Sequence, residues 1–215
     1  MRAPEVLVVD YGVGNLLSVR RGLEYCGARV VLSADPAQLL AAERVVLPGV
    51  GAFRDAMQAL EQRGLTDPLR QVALRQTPLL GICLGMQLLL DESEEFGVTA
   101  GLGLIPGRAV PVPARSATGE KLKIPHIGWN ALLPPEGGAG WAETLLHDNL
   151  PGEAVYFVHS FMAADMAPEH RIADCLYGGN LVSAVIGHGR ITGCQFHPEK
   201  SGEAGLKILR RFILQ

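Results

Sequence analysis

Two short stretches carry residue types that could do nucleophilic chemistry together: Gly81-Ile82-Cys83-Leu84-Gly85 and His197-Pro198-Glu199. Cys83 stands between two glycines, after an apolar run and before a helix-like one. This is the G-x-nucleophile-x-G pattern of a sharp strand-to-helix elbow, with cysteine where serine enzymes carry serine. Such an elbow sets the thiol at the mouth of a sheet and at a helix N-terminus, whose unpaired N–H groups favour the thiolate. The nucleophile then needs a base, and the base needs a group to orient it. His197 and Glu199 supply both, and the X-Pro step between them is extended and stiff. Taken singly, Cys83 reads equally as a small buried hydrophobe and His197 as a histidine at a strand end. The two stretches together favour the chemistry.

A third stretch, Leu47-Pro48-Gly49-Val50-Gly51-Ala52-Phe53, is at its plainest a strand-to-helix turn. Its other reading is half of an oxyanion hole, from the main-chain N–H of Val50, with the N–H of Leu84 as the other half. Glycines on both sides of Val50 permit a backbone that side chains would forbid, including a flipped peptide. Tyr11-Gly12-Val13-Gly14-Asn15 looks like a dinucleotide loop, but the third glycine of that fingerprint falls at Leu17, so nucleotide binding is not expected.

The elements that must position these residues follow from periodicity. Strands are expected at 6–9, 29–32, 44–47 and 79–82, and helices at 15–26, 36–42, 53–62 and 67–76, with Asp67 as N-cap and Pro68 as first helical residue. This alternation predicts an α/β fold, an open and mostly parallel sheet flanked by helices. The second half differs. Short antiparallel strands are expected between 108 and 131, a glycine-rich loop at 134–140 and a helical turn at 141–147. A strand at 154–159 and a meander over 171–177, 181–187 and 190–196 follow, and an additional smaller antiparallel sheet is expected beside the main one. Ser201 is expected to cap a last helix with Leu206, Leu209, Phe212 and Ile213 on its apolar face.

The 215 residues suit a single domain spanning 1–215. With 48% apolar and 19% charged residues the chain has the material for a packed core. A net charge of −3 offers no basic face and argues against nucleic acid as a partner. No apolar run approaches the roughly 20 residues of a membrane helix, and no signal peptide is evident, so no membrane association and a cytoplasmic location are expected. The four cysteines lack CxxC spacing and the six histidines lack HxH or HExxH spacing, so no metal and no cofactor are expected. Cys26, Cys175 and Cys194 read as core residues.

GICLGMQLL, PGVGAF and HPEKS together closely resemble the class I (triad-type) glutamine amidotransferases, over nearly the whole chain. DYGVGNLLSV, PHIGWN, YFVHSF and QFHPEKS narrow the resemblance to the branch formed by glutaminase subunits of imidazole glycerol phosphate synthases. The resemblance implies that Cys83 attacks the side-chain amide of L-glutamine to form a glutamyl thioester. It makes His197 the acid and base and Glu199 the group that orients it. It implies that Gly51, Gln87, Glu95 and the Ser160–Phe161 backbone hold glutamine. It further implies a heterodimer with a (βα)8-barrel cyclase subunit, faced by Trp129 and Lys200, that receives the ammonia and makes imidazole glycerol phosphate and an aminoimidazole carboxamide ribotide in histidine biosynthesis. In such pairs the glutaminase is nearly silent until the barrel's ligand binds, which makes Gly49–Val50 the expected switch. A β-branched residue at Gly49 is expected to impair hydrolysis far more than folding. The bland readings of Trp129 and Lys200 are a core tryptophan and a solvated lysine.

Overall fold

In the computed structural model residues 2–138 and 140–215 are described; Met1 and Ala139, the latter inside the expected 134–140 loop, lie outside that description. The first half alternates as its periodicity requires. β1 (Glu5–Val9), α1 (Leu16–Tyr25), β2 (Arg29–Ser33), α2 (Pro36–Ala41), β3 (Val45–Gly49), α3 (Phe53–Gln62), α4 (Thr66–Leu74) and β4 (Leu79–Cys83) follow in order, then α5 (Leu84–Leu88). Polar side chains open two of the helices. Asn15 Oδ1 accepts from Ser18 N, and Asp35 Oδ1 accepts from Ala37 N at 2.8 Å, with Pro36 at the first helical position. For α4 the expected cap is corrected. The helix opens at Thr66, so Asp67 lies in the first turn, where its carboxylate faces the helix dipole and pairs with Arg70 at 3.1 Å. Pro68 is tolerated there because its missing N–H has no intrahelical acceptor anyway.

The second half holds β5 (Glu92–Ser93), β6 (Thr99–Ala100), β7 (Arg108–Pro111), β8 (His126–Ala131), β9 (Ala154–His159), β10 (Phe161–Ala164), β11 (Arg171–Tyr177), β12 (Asn180–His188), β13 (Ile191–Cys194) and α6 (Gly202–Ile213). The large sheet runs β11-β12-β13-β4-β3-β1-β2. From β13 to β2 it is parallel, and β12 and β11 continue it antiparallel, so the expected meander joins the main sheet. A smaller sheet, β10-β7-β5-β6, is antiparallel except between β5 and β7. The strands expected between 108 and 131 do not pair with each other: β7 pairs with β10, and β8 with β9 as a separate ribbon. Residues 141–147 form turns and no helix.

Strand alternation fills two apolar layers, one on each face of the sheet. Val6, Val8, Val46, Leu80 and Ile82 face α1 and α6; Leu7, Val9, Val45, Leu47 and Leu79 face α3, α4 and α5. On α6 the buried stripe is Ala204, Ile208, Leu209, Phe212 and Ile213, with Leu206 only half-buried. Ser201 stands at the N-cap position of α6 without capping it. Its hydroxyl accepts from Tyr156 N at 3.0 Å and donates to the His197 carbonyl at 2.7 Å, which ties the His197 segment to β9.

Candidate active site

The carboxyl ends of three adjacent parallel strands build the site, the place where open α/β sheets put their ligands. β4 ends in Cys83, its neighbour β3 ends in Gly49, directly paired with Cys83, and its other neighbour β13 leads through Gln195 and Phe196 to His197. Cys83 has φ +55° and ψ −113°, a strained conformation for a residue with a side chain. The surrounding glycines make it possible. A Cβ on Gly85 would run into the Leu47 carbonyl oxygen, and one on Gly81 would lie 2.7 Å from the Gly85 oxygen. Leu84 opens α5, where the N–H groups of the first turn lack intrahelical acceptors.

His197 is buried, and its Nδ1 lies 2.8 Å from Glu199 Oε1. A carboxylate accepts, so Nδ1 carries the proton and Nε2 remains for Cys83. Among the described residues the second oxygen of the buried Glu199 carboxylate has no hydrogen-bond partner, so its charge depends on the imidazole for compensation. Burial pulls the His197 imidazole down, but its bonds to Cys83 and Glu199 outweigh this and raise it to about 9. The pair is thus set as an imidazolium beside the sulfur. Burial pushes the thiols of Cys26 and Cys194 up, and that of Cys175 to about 12.

A cavity of about 260 Å³ opens at Cys83, bounded by Val50, Gly51, Leu84, Gln87, Glu95 and His197, with Val158 to Phe161 along one wall. Every residue expected to bind glutamine or stabilise an oxyanion therefore borders one space. Gln87 Nε2 donates to the Phe161 carbonyl at 2.9 Å and to Gln195 Oε1 at 3.1 Å. Glu95 Oε2 accepts from Phe53 N at 2.6 Å, which fastens β5's loop to the start of α3. Glu199 sits behind His197, away from the cavity. Trp129 is 56% exposed and Lys200 is exposed, so the core reading of Trp129 is discarded. Trp129 meets Tyr156 edge to face at 5.9 Å on the outer side of the β8–β9 ribbon.

Two residues escaped the sequence reading. Gln195, fully buried, places Nε2 4.0 Å from Cys83 Sγ while accepting from Gln87; its position before His197 in QFHPEKS was the only signal. Tyr11, also fully buried, donates its hydroxyl to Pro48 O at 2.8 Å. The rejected dinucleotide loop thus packs against the PGVG turn. The expectation for Gly49 needs correction: a Cβ there would stand 2.8 Å from Tyr11 Oη and 2.9 Å from Gly85 N, so a β-branched residue disrupts folding as well as hydrolysis. Val50 is exposed, and Gly51 has φ +95° with nothing near the place a Cβ would take.

A cysteine elbow with a histidine–glutamate partner on a mostly parallel sheet defines a thiol-dependent acyl-transfer enzyme. The chain belongs to the class I glutamine amidotransferase family, whose pattern it matches over residues 7–215. It is 50% identical to imidazole glycerol phosphate synthase subunit HisH 1 of Legionella pneumophila (strain Lens), across 97% of this chain and 98% of that protein. It is 46% identical to the HisH subunit of Geobacillus thermodenitrificans, across 96% and 93%. Among solved structures it shares its fold with PurLQS from Thermotoga maritima, at TM-score 0.71 and 19% identity, covering 99% of each chain. A glutamine amidotransferase crystal structure matches at TM-score 0.70 and 17% identity, covering 97% of this chain and 96% of the other.

Proposed function

We propose that this chain, read as one unit over 1–215, is the glutaminase subunit of an imidazole glycerol phosphate synthase. Cys83 Sγ attacks the side-chain carbonyl carbon of L-glutamine, and the N–H groups of Val50 and Leu84 receive the oxyanion. The His197 imidazolium gives its Nε2 proton to the departing ammonia, leaving a γ-glutamyl thioester. The neutral imidazole then takes a proton from water, whose oxygen attacks the thioester, and glutamate leaves as thiolate and imidazolium are restored. Glu199 keeps the ring oriented throughout. Glutamine and water are thereby converted to glutamate and ammonia.

Glu95 suits the α-ammonium group of glutamine, since its carboxylate borders the cavity and, among the described residues, only one of its oxygens is engaged, by Phe53 N. Gln87, Gly51 and the Ser160–Phe161 backbone complete the pocket. Ammonia passes to a (βα)8-barrel cyclase subunit docked on the face that carries Trp129 and Lys200. The ribbon supports this placement: Ile127 and Trp129 are exposed on β8, and Val158 of β9 borders the cavity. Among the described residues no helix is long and apolar enough to cross a membrane, and a cytoplasmic enzyme fits this reading.

The observation that carries the proposal is the convergence of Cys83, the His197–Glu199 pair and the Gly49 turn at three neighbouring strand ends, in a chain 50% identical to a HisH protein along its length. The test is glutamate release from glutamine by the chain alone, then with a barrel cyclase subunit and its nucleotide ligand. A small rate alone that rises strongly in the ternary mixture supports it. A high rate that the barrel leaves unmoved identifies a free-standing hydrolase.

A further inference from the structure

Two buried histidines, His126 and His159, take no part in the chemistry above, yet they stand in PHIGWN and YFVHSF. Strand alternation turns Ile127 and Trp129 of β8 to solvent and His126 and Asn130 inward. The ribbon's register sets His126 opposite His159. Asn130 Nδ2 lies 2.6 Å from His126 Nε2, His126 Nδ1 lies 2.8 Å from His159 Nε2, and His159 Nδ1 lies 2.9 Å from the Phe161 carbonyl oxygen.

The direction of this chain of bonds is determined at its end. A carbonyl only accepts, so His159 carries its proton on Nδ1 and must accept at Nε2. His126 therefore donates from Nδ1 and accepts from the Asn130 amide at Nε2. An imidazolium at either ring would turn a spare N–H on a neighbouring donor. Burial acts in the same sense and pulls both imidazoles down to about 4. His126 is further held between Phe157 and Tyr177, with ring centroids at 4.8 and 4.1 Å.

The receiving atom borders the glutamine pocket. Phe161 O accepts from His159 and from Gln87, so both of its lone pairs are filled. One residue earlier, Ser160 O accepts from Val112 N at 2.8 Å. The trans peptide between them therefore aims Phe161 N–H away from β7, and an N–H so placed recognises a carboxylate.

We propose that Asn130, His126 and His159 form a positioning relay that fixes the Ser160–Phe161 main chain for the α-carboxylate of glutamine. It sets KM for glutamine and leaves bond breaking at Cys83 untouched. The inference rests on the reading that this backbone segment holds glutamine.

The test uses the chain in complex with the barrel subunit and its ligand. His159→Phe removes both of its bonds and should raise KM for glutamine about tenfold or more, with kcat within about twofold. His126→Phe preserves the ring stack and should give a smaller rise. His159→Asn keeps an amide donor at the Nδ1 position and should recover most of the loss. Alkylation of Cys83 by iodoacetamide should keep its rate, whereas 6-diazo-5-oxo-L-norleucine should need a higher concentration for half-maximal labelling. Nitrogen-15 NMR of the unmodified protein at neutral pH should show both rings neutral with the proton on Nδ1, a signature that packing alone does not dictate. An Nε2–H tautomer at either ring, a fall in kcat at constant KM, or an unmoved KM in the folded variants overturns the relay. If a phenylalanine variant does not fold, His159→Asn and the tautomers still decide. Wild-type protein that neither hydrolyses glutamine nor reacts with the diazo compound sinks the glutaminase reading itself; turnover with unmoved KM sinks the relay alone.

Discussion

In the proposed mechanism Cys83 and His197 divide the labour, and each carries a distinct prediction. Cys83→Ser or Cys83→Ala should cut glutamine-dependent turnover by at least about a thousandfold, while the complex still makes product from ammonium salts. Loss of product formation from ammonium salts too would mean that the division between subunits is misread. Because His197 is raised to about 9, its proton is present across neutrality and lost above that value. kcat/KM for glutamine should accordingly fall on the alkaline side near pH 9. Glu199→Gln removes one of the bonds that raise the imidazole, so it should move this limb downward and lower kcat on the order of a hundredfold. An alkaline limb that stays in place would separate Glu199 from the acid. The same group affects stability. A base raised on folding stabilises fully below its unfolded value of about 6.5, and that contribution disappears as pH rises through 9.

At the scale of elements, the elbow depends on backbone approach and the ribbon on buried neutral rings. Gly85→Ala forces a methyl group into the Leu47 carbonyl of the adjacent strand and should cost upwards of about 2 kcal/mol, read as a lower urea midpoint. Gly51→Ala has open space but strains a φ of +95°, so it should cost less stability and more activity. Equal losses in both variants would contradict this division of the PGVG and GICLG turns. The β8–β9 ribbon has the opposite pH response to His197. His126 and His159 are lowered to about 4, so the unfolded chain binds more protons between about 4 and 6.5, and their contribution fades as pH falls through that window. Thermal melts across pH 4 to 9 should therefore show greatest stability near neutrality, and the acid-side loss should shrink in His126→Phe.

At the scale of the whole molecule, the outer face of the ribbon puts Ile127 and Trp129 in solvent beside the cavity mouth, where a partner could cover the thiol. Trp129→Ala should weaken binding of the cyclase subunit by about 2 kcal/mol, or roughly thirtyfold in Kd, and Lys200→Ala should weaken it in a salt-dependent way. Calorimetric titration at two salt concentrations measures both, and unchanged affinities would remove this face from the interface. The alternation of strand and helix, the elbow and the HPE turn were legible in the residues because each is a local rule: periodicity, a glycine where a Cβ cannot fit, a proline that stiffens a step. The same local rules placed Asp67 at a cap that Leu65 occupies, because helix starts depend on how the preceding chain is packed. Order along the chain said nothing of which strand neighbours which. Only the tertiary structure brought β13 beside β4, joined the meander to the main sheet and stacked His126 against Tyr177, since these contacts span dozens of residues and are decided by which apolar faces find one another. What this sequence determined by itself was which residues could act together, a cysteine on a glycine elbow and a His-Pro-Glu turn, through residue type and spacing; the packing of β8 on β9 decided which histidines are buried against each other and what their hydrogen bonds reach.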